Sequence, residues 1–85
     1  VNAVVPAEQL LATAKAWAAQ ILDLSPMSVR ASKQAVTRGL AEPSVKAAME
    51  AQRNYPAISA MFKSEDFVEG PMAFAQKRSP QWKGK

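Results

Sequence analysis

Apolar residues recur along the first third of the chain at Leu10, Ala14, Trp17, Ile21 and Leu24, spacings of four and three that place them on one side of a helix. Leu11, Ala18 and Leu22 widen that stripe, and Lys15 and Gln20 fall on the other side. Pro6 suits the entry to this helix because its fixed φ fits a first turn, where Glu8 complements the dipole. A stripe at helical period is the ordinary signature of a packed face, so Trp17 is expected to pack rather than to hold a ligand.

Ser25-Pro26 then reads as the cap and first residue of a second helix running to about Arg38, with Gly39 placed to take the left-handed conformation that closes a helix. Val29, Val36 and Leu40 point one way. Arg30, Lys33, Gln34, Thr37 and Arg38 form a basic stripe on the opposite face, read either as a solvated surface or as a track for phosphates. A third helix is expected from Pro43-Ser44, carrying Val45, Ala48, Met49 and Tyr55 inward. Pro56 removes a donor and crowds the preceding turn, so the helix must kink or break near Tyr55 before Ile58, Met61 and Phe62 form a further apolar patch.

The last stretch, SEDFVEGPMAFAQKRSPQWKGK, opens on Ser64 as a cap followed by Glu65 and Asp66, where helix N–H groups welcome negative charge. Gly70 is expected to interrupt the run and Pro71 to restart it, MAFAQKR carrying a helix to a basic end before Ser79-Pro80 stops it. On that helix Phe74 and Lys77, three apart, share a face, with Arg78 four residues from Phe74. An aromatic plate beside an ammonium suits a ligand that is apolar at one end and phosphorylated at the other. The simpler reading makes Phe74 a core residue and leaves Lys77 and Arg78 to offset the helix dipole.

Composition narrows the chemistry. The 85 residues contain no cysteine and no histidine, which removes disulfides, thiolate nucleophiles, imidazole bases and the usual zinc sites. Glu65, Asp66 and Glu69 cluster, but at a helix start such charges are expected for capping. No catalytic residue and no metal ligand is assigned. No apolar run approaches the roughly 20 residues of a membrane span, and a cytoplasmic location is expected.

A domain of this size buries only about 60 % of its unfolded surface, and much of the apolar content here is alanine, so association is expected. Val1, Val4 and Val5 read as the remnant of a preceding strand, which marks residues 1–5 as the end of something longer. The whole of 1–85 is read as a single helical domain, with residues 79–85 as a tail that is loose unless Trp82 docks.

SEDFVEG followed by PMAFAQKR and an aromatic-basic tail resembles the C-terminal signature of the enoyl-CoA hydratase/isomerase (crotonase) superfamily, and VNAVVP, a helix, SPMSVRASKQAV and a further helix fall in that family's order. The resemblance implies an all-α C-terminal region of three to four helices lacking the family's β/α spiral core. Such a region covers the acyl-CoA pocket and makes contacts between subunits of a trimer or hexamer, without a complete active site. Coenzyme A thioester is then the substrate of the parent enzyme, with no covalently bound cofactor. By the same resemblance Phe74 and Lys77 match residues that reach a neighbouring subunit's coenzyme A, and Ile58 falls where some members place a ligand-facing aromatic.

Two alternatives from other classes remain on the residues alone: a free-standing oligomerisation module, and a basic nucleic-acid-binding module suggested by the net charge of +4. The scattered basic residues and the lack of a helix-turn-helix or zinc pattern argue against the second.

Overall fold

A computed structural model describes residues 1–85 as five α-helices with no strand. These are α1 (Leu10–Leu22), α2 (Pro26–Gly39), α3 (Val45–Ala51), α4 (Pro56–Phe62) and α5 (Glu65–Ala75). The count exceeds the expected three to four because Pro56 divides the third predicted helix. Before it the chain tightens into a 3-10 turn over Gln52–Asn54. Tyr55 is then extended (φ −74°, ψ 131°), as the residue before a proline must be, and Pro56 opens α4.

Three of the helix starts follow directly from local chemistry. Ser25, Ser44 and Ser64 each turn a side-chain oxygen toward the N–H three residues on, at 3.4, 3.1 and 3.2 Å, satisfying a donor the helix itself leaves free. Helix α4 has no such residue of its own. Instead the Gln34 side chain of α2 accepts from the Ala57 N–H at 2.8 Å, so the second helix caps the fourth.

That bond is one of several from the polar face of α2, although Lys33 and Thr37 of that face are exposed and Val29 of the apolar face is half-buried. Gln34 meets α4, the Arg38 guanidinium lies 5.4 Å from the centre of the buried Tyr55 ring, and Arg30 reaches back to the Gly84 carbonyl. Val36 and Leu40, expected inward, are exposed, as are Val45 and Met49 of α3. Gly39 is the last residue of α2 with a right-handed conformation rather than a left-handed stop. It sits where α3 comes near, so that a Cβ there would lie 3.5 Å from that of Ala48.

Helix α1 departs furthest from expectation. Pro6 precedes a 3-10 turn (Ala7–Gln9) rather than the α-helix itself, and α1 has no substantial packing against another helix. Its stripe is open: Trp17 is 45 % exposed and Leu10, Leu11, Ile21, Leu22 and Leu24 more so. Trp17 is therefore only partly covered within this chain. Val1–Val5 have no regular secondary structure; Val5 joins Leu10, Ala14 and Trp17 along one open groove.

The outcome is a slab of 44 × 40 × 19 Å. Its radius of gyration is 16.2 Å, against about 12 Å for a compact domain of this length, and only six residues are buried, three of them polar. A layer this thin has no interior to hold its own apolar faces.

Candidate functional site

Helix α5 runs unbroken through Gly70 and Pro71, correcting the expected interruption. The tail folds back across the helix at this point. The Trp82 ring rests on Gly70, close enough that a Cβ at residue 70 would meet Cη2 at 3.4 Å, and its Nε1–H donates to the Asp23 carbonyl at 3.0 Å. Asp66, 3 % exposed, accepts from the Ser25 hydroxyl (3.2 Å) and from the Lys83 and Gly84 N–H groups (2.7 and 3.1 Å). One carboxylate thus ties α5, the α1–α2 corner and the tail together. Gly84 allows this with φ 72°, in the left-handed region.

The other two carboxylates hold the same strap from outside. Glu65 pairs with Lys83 at 2.5 Å, and that hydrogen bond and charge lower the Glu65 pKa and raise that of Lys83. Glu69 takes both ends of the Arg78 fork, at 2.5 and 2.9 Å, and the Gln81 N–H at 2.7 Å. Its pKa is lowered to about 2, first by the Arg78 hydrogen bond and then by the Gln81 N–H. Arg78 is raised by the same bond. The acidic cluster is structural, as its position at a helix start suggests, yet what it holds is the tail as much as the helix dipole.

The end of α5 is where the predicted ligand residues stand. The helix stops at Ala75, two residues before Lys77, in a closing motif whose two marks are both present. The Arg78 N–H reaches the Ala73 carbonyl (3.0 Å), the Lys77 N–H reaches that of Phe74 (3.1 Å), and between them Lys77 has φ 52°. Helical spacing therefore does not set the relation of Phe74 to Lys77; a left-handed turn does. Phe74 is 87 % exposed and is not the core residue of the simpler reading; Lys77 is exposed as well. Arg78, which looked like their companion, is turned back to Glu69 and to the Gln76 side chain (2.7 Å).

Ile58 is elsewhere. Half-buried on α4, it lines an open groove of about 380 Å³ with Gln52, Arg53, Met61 and Phe62, and neither Phe74 nor Lys77 borders that groove. The structure thus leaves Phe74 and Lys77 exposed at the end of α5, linked through the Lys77 N–H and the Phe74 carbonyl, and leaves Ile58 apart from them. The residues missed were Asp66 and Glu69 as anchors of the tail. A signal existed in the two cations and tryptophan that follow them, but dipole reasoning already accounted for the carboxylates.

Fold and site together define an all-helical layer that presents one aromatic and one ammonium from a braced corner and leaves its broad apolar faces open. Comparison with known proteins finds the same layer within larger enzymes. The chain belongs to the enoyl-CoA hydratase/isomerase family, whose sequence model matches residues 1–85.

Among curated relatives, the carnitinyl-CoA dehydratases of Salmonella arizonae and Proteus mirabilis are 40 % and 39 % identical over 99 % of this chain and 33 % of their own length. Among solved structures, the enoyl-CoA hydratase of Mycobacterium tuberculosis H37Rv superimposes with a TM-score of 0.86 at 30 % identity, over all of this chain and 32 % of that one. A probable enoyl-CoA hydratase/isomerase of Mycobacterium abscessus does so with 0.84 at 36 %, over the same share. The chain spans about a third of the length of the relatives it matches, aligning to the C-terminal third of the family. The family acts on coenzyme A thioesters. No helix is long and apolar enough to cross a membrane.

Proposed function

We propose that this layer covers the acyl-coenzyme A pocket of a cytoplasmic enzyme of the family and contributes subunit contacts in a trimer or a pair of trimers. In this reading Phe74 packs beside the apolar part of the ligand and Lys77 offers its charge to a coenzyme A phosphate. Ile58 supplies an aliphatic wall without stacking. Val1–Val5 continue a strand of the catalytic body, and the open stripe of α1 lies against that body or against a sister copy. The chemistry belongs to the preceding body, since the carboxylates here are committed to the tail.

The observation that carries the ligand reading is Phe74, a ring 87 % exposed at the corner where Arg78 is held by Glu69. Replacing Lys77 with Glu in the full-length enzyme is expected to raise the KM for acyl-coenzyme A about tenfold, the scale of one lost charge contact and one added repulsion. An unchanged KM removes Lys77 from the site.

A second reading, an oligomerisation layer without ligand contact, is supported by the open α1 stripe. Self-association of the isolated chain that coenzyme A leaves untouched favours it; a shift in sedimentation on adding coenzyme A favours the first.

A further inference from the structure

Lys77 is the one non-glycine residue of the chain with positive φ, in a conformation that crowds Cβ against the backbone and costs an ordinary side chain roughly 1 kcal/mol. Glycine or asparagine is the usual occupant of this closing position. An unfavourable backbone state persists only where its surroundings fix it, and such states gather at ligand clamps. The surroundings here are specific. On either side of Lys77, Gln76 and Arg78 bond to each other through their side chains at 2.7 Å. Arg78 is held in turn by both oxygens of Glu69, one of which also fastens the Gln81 N–H.

Glu69 lies one to two turns before the helix end and touches neither Phe74 nor Lys77 by hydrogen bond; every bond its carboxylate makes goes to the chain just after Lys77. The bonded groups enclose the left-handed residue from Gln76 to Gln81. The Lys77 side chain itself is left out, with no hydrogen bond or ion pair of its own, while Arg78 and Lys83, two other cations of the tail, are each paired with a carboxylate.

We infer that Glu69 is a positioning residue: through Arg78 it clamps the turn at the end of α5, so that Lys77 is held left-handed with its ammonium free and aimed beside Phe74. This rests on the reading of Lys77 as a coenzyme A contact and adds the group that sets its direction. It also explains why a lysine stands where glycine would be less strained. The position is kept for the ammonium, and the bracket restrains the backbone that glycine would leave loose.

The test uses the full-length protein, with coenzyme A as probe and calorimetry as readout, on Glu69→Gln, Lys77→Ala, the double variant and Lys77→Gly. Glu69→Gln keeps an acceptor for the Gln81 N–H, so the tail remains docked while the charged fork is lost. Lys77→Ala is expected to weaken coenzyme A about tenfold and Glu69→Gln about threefold to fivefold. The double variant should be no weaker than Lys77→Ala, because a clamp matters only for the group it aims. Lys77→Gly should melt higher than the parent and yet bind as weakly as Lys77→Ala, a separation a merely structural lysine would not give.

A second measurement reads the clamp directly: trypsin cleavage after Lys77 and Arg78 should be several times faster in Glu69→Gln than in the parent. If Lys77→Ala weakens binding but Glu69→Gln does not, or if the two effects simply add, the positioning role is overturned while the ligand reading stands. If Lys77→Ala leaves affinity unchanged, the ligand reading falls. Unchanged proteolysis in Glu69→Gln overturns the clamp in either case.

Discussion

Two ends of this slab are built in opposite ways. At the α5 corner three carboxylates, a tryptophan and two glycine positions bind the last residues of the chain to α5 and to the start of α2, and every buried carboxylate oxygen has a donor. At α1 a helix with a wide apolar stripe has no substantial packing against another helix, and Leu22 stands 79 % exposed. Directional bonds to partners inside the chain complete the first region. Non-directional burial, which needs area and not geometry, is what the second lacks. The corner is held by bonds within these residues; α1 leaves its stripe open.

The contrast is broken most severely at Asp66. Asp66→Ala strips the acceptor from a buried hydroxyl and two partly buried N–H groups, and should destabilise the 85-residue chain by roughly 3 kcal/mol, measured by denaturant unfolding. Loss of under 1 kcal/mol would mean the strap is not what holds the corner.

Acid is the gentler probe of the same region. Glu65 and Glu69 both have lowered pKa values in the fold, so their contribution is complete above the unfolded carboxylate range near 4.5. It fades as pH falls from there, for Glu69 toward about 2. Trp82 fluorescence should therefore report release of the tail between roughly pH 4.5 and 2 while α1 is unaffected. At the alkaline side the sign reverses for Lys83, whose raised pKa makes its pairing complete below about 10.5 and lost only as pH rises beyond it. A tail that loosens at pH 6 contradicts these pairings.

The smallest effect belongs to the other end. Trp17→Ala in the 85-residue chain should change stability by no more than about 0.5 kcal/mol, the range of surface substitutions, although a buried tryptophan lost from a core costs about 3 to 5. A large loss in the isolated chain would show that α1 is already packed.

What the sequence disclosed divides along the same line. The caps at Ser25, Ser44 and Ser64 and the break at Pro56 were legible because each is decided by a few adjacent residues. The helix α1 was legible as a helix, while its isolation was not, since a stripe announces a partner without saying whether the chain contains it. Helix α2 deceived for a related reason. Its polar side carries Gln34 and Arg38, which reach α4 and Tyr55 with a hydrogen bond and a cation over a ring, while Val36 and Leu40 were left outward.

Gly70-Pro71 read as a break because local rules say so. The helix continues, and Trp82 returns onto Gly70 across twelve positions in sequence. Phe74 and Lys77 were singled out by spacing and by resemblance and are both exposed at one corner, but the left-handed turn at Lys77 could not be read from spacing. Ile58 was grouped with them by resemblance alone and lies in a different groove.

Hydrogen exchange followed by mass spectrometry, run on the 85-residue chain and on the full-length protein, tests most directly whether α1 is a face awaiting the rest of its enzyme. Amides of residues 12–22 are expected to exchange rapidly in the short chain, while those of α5 are protected in both, and α1 should become protected only in the full-length protein. Equal protection of α1 in the two, with the short chain monomeric, would contradict it.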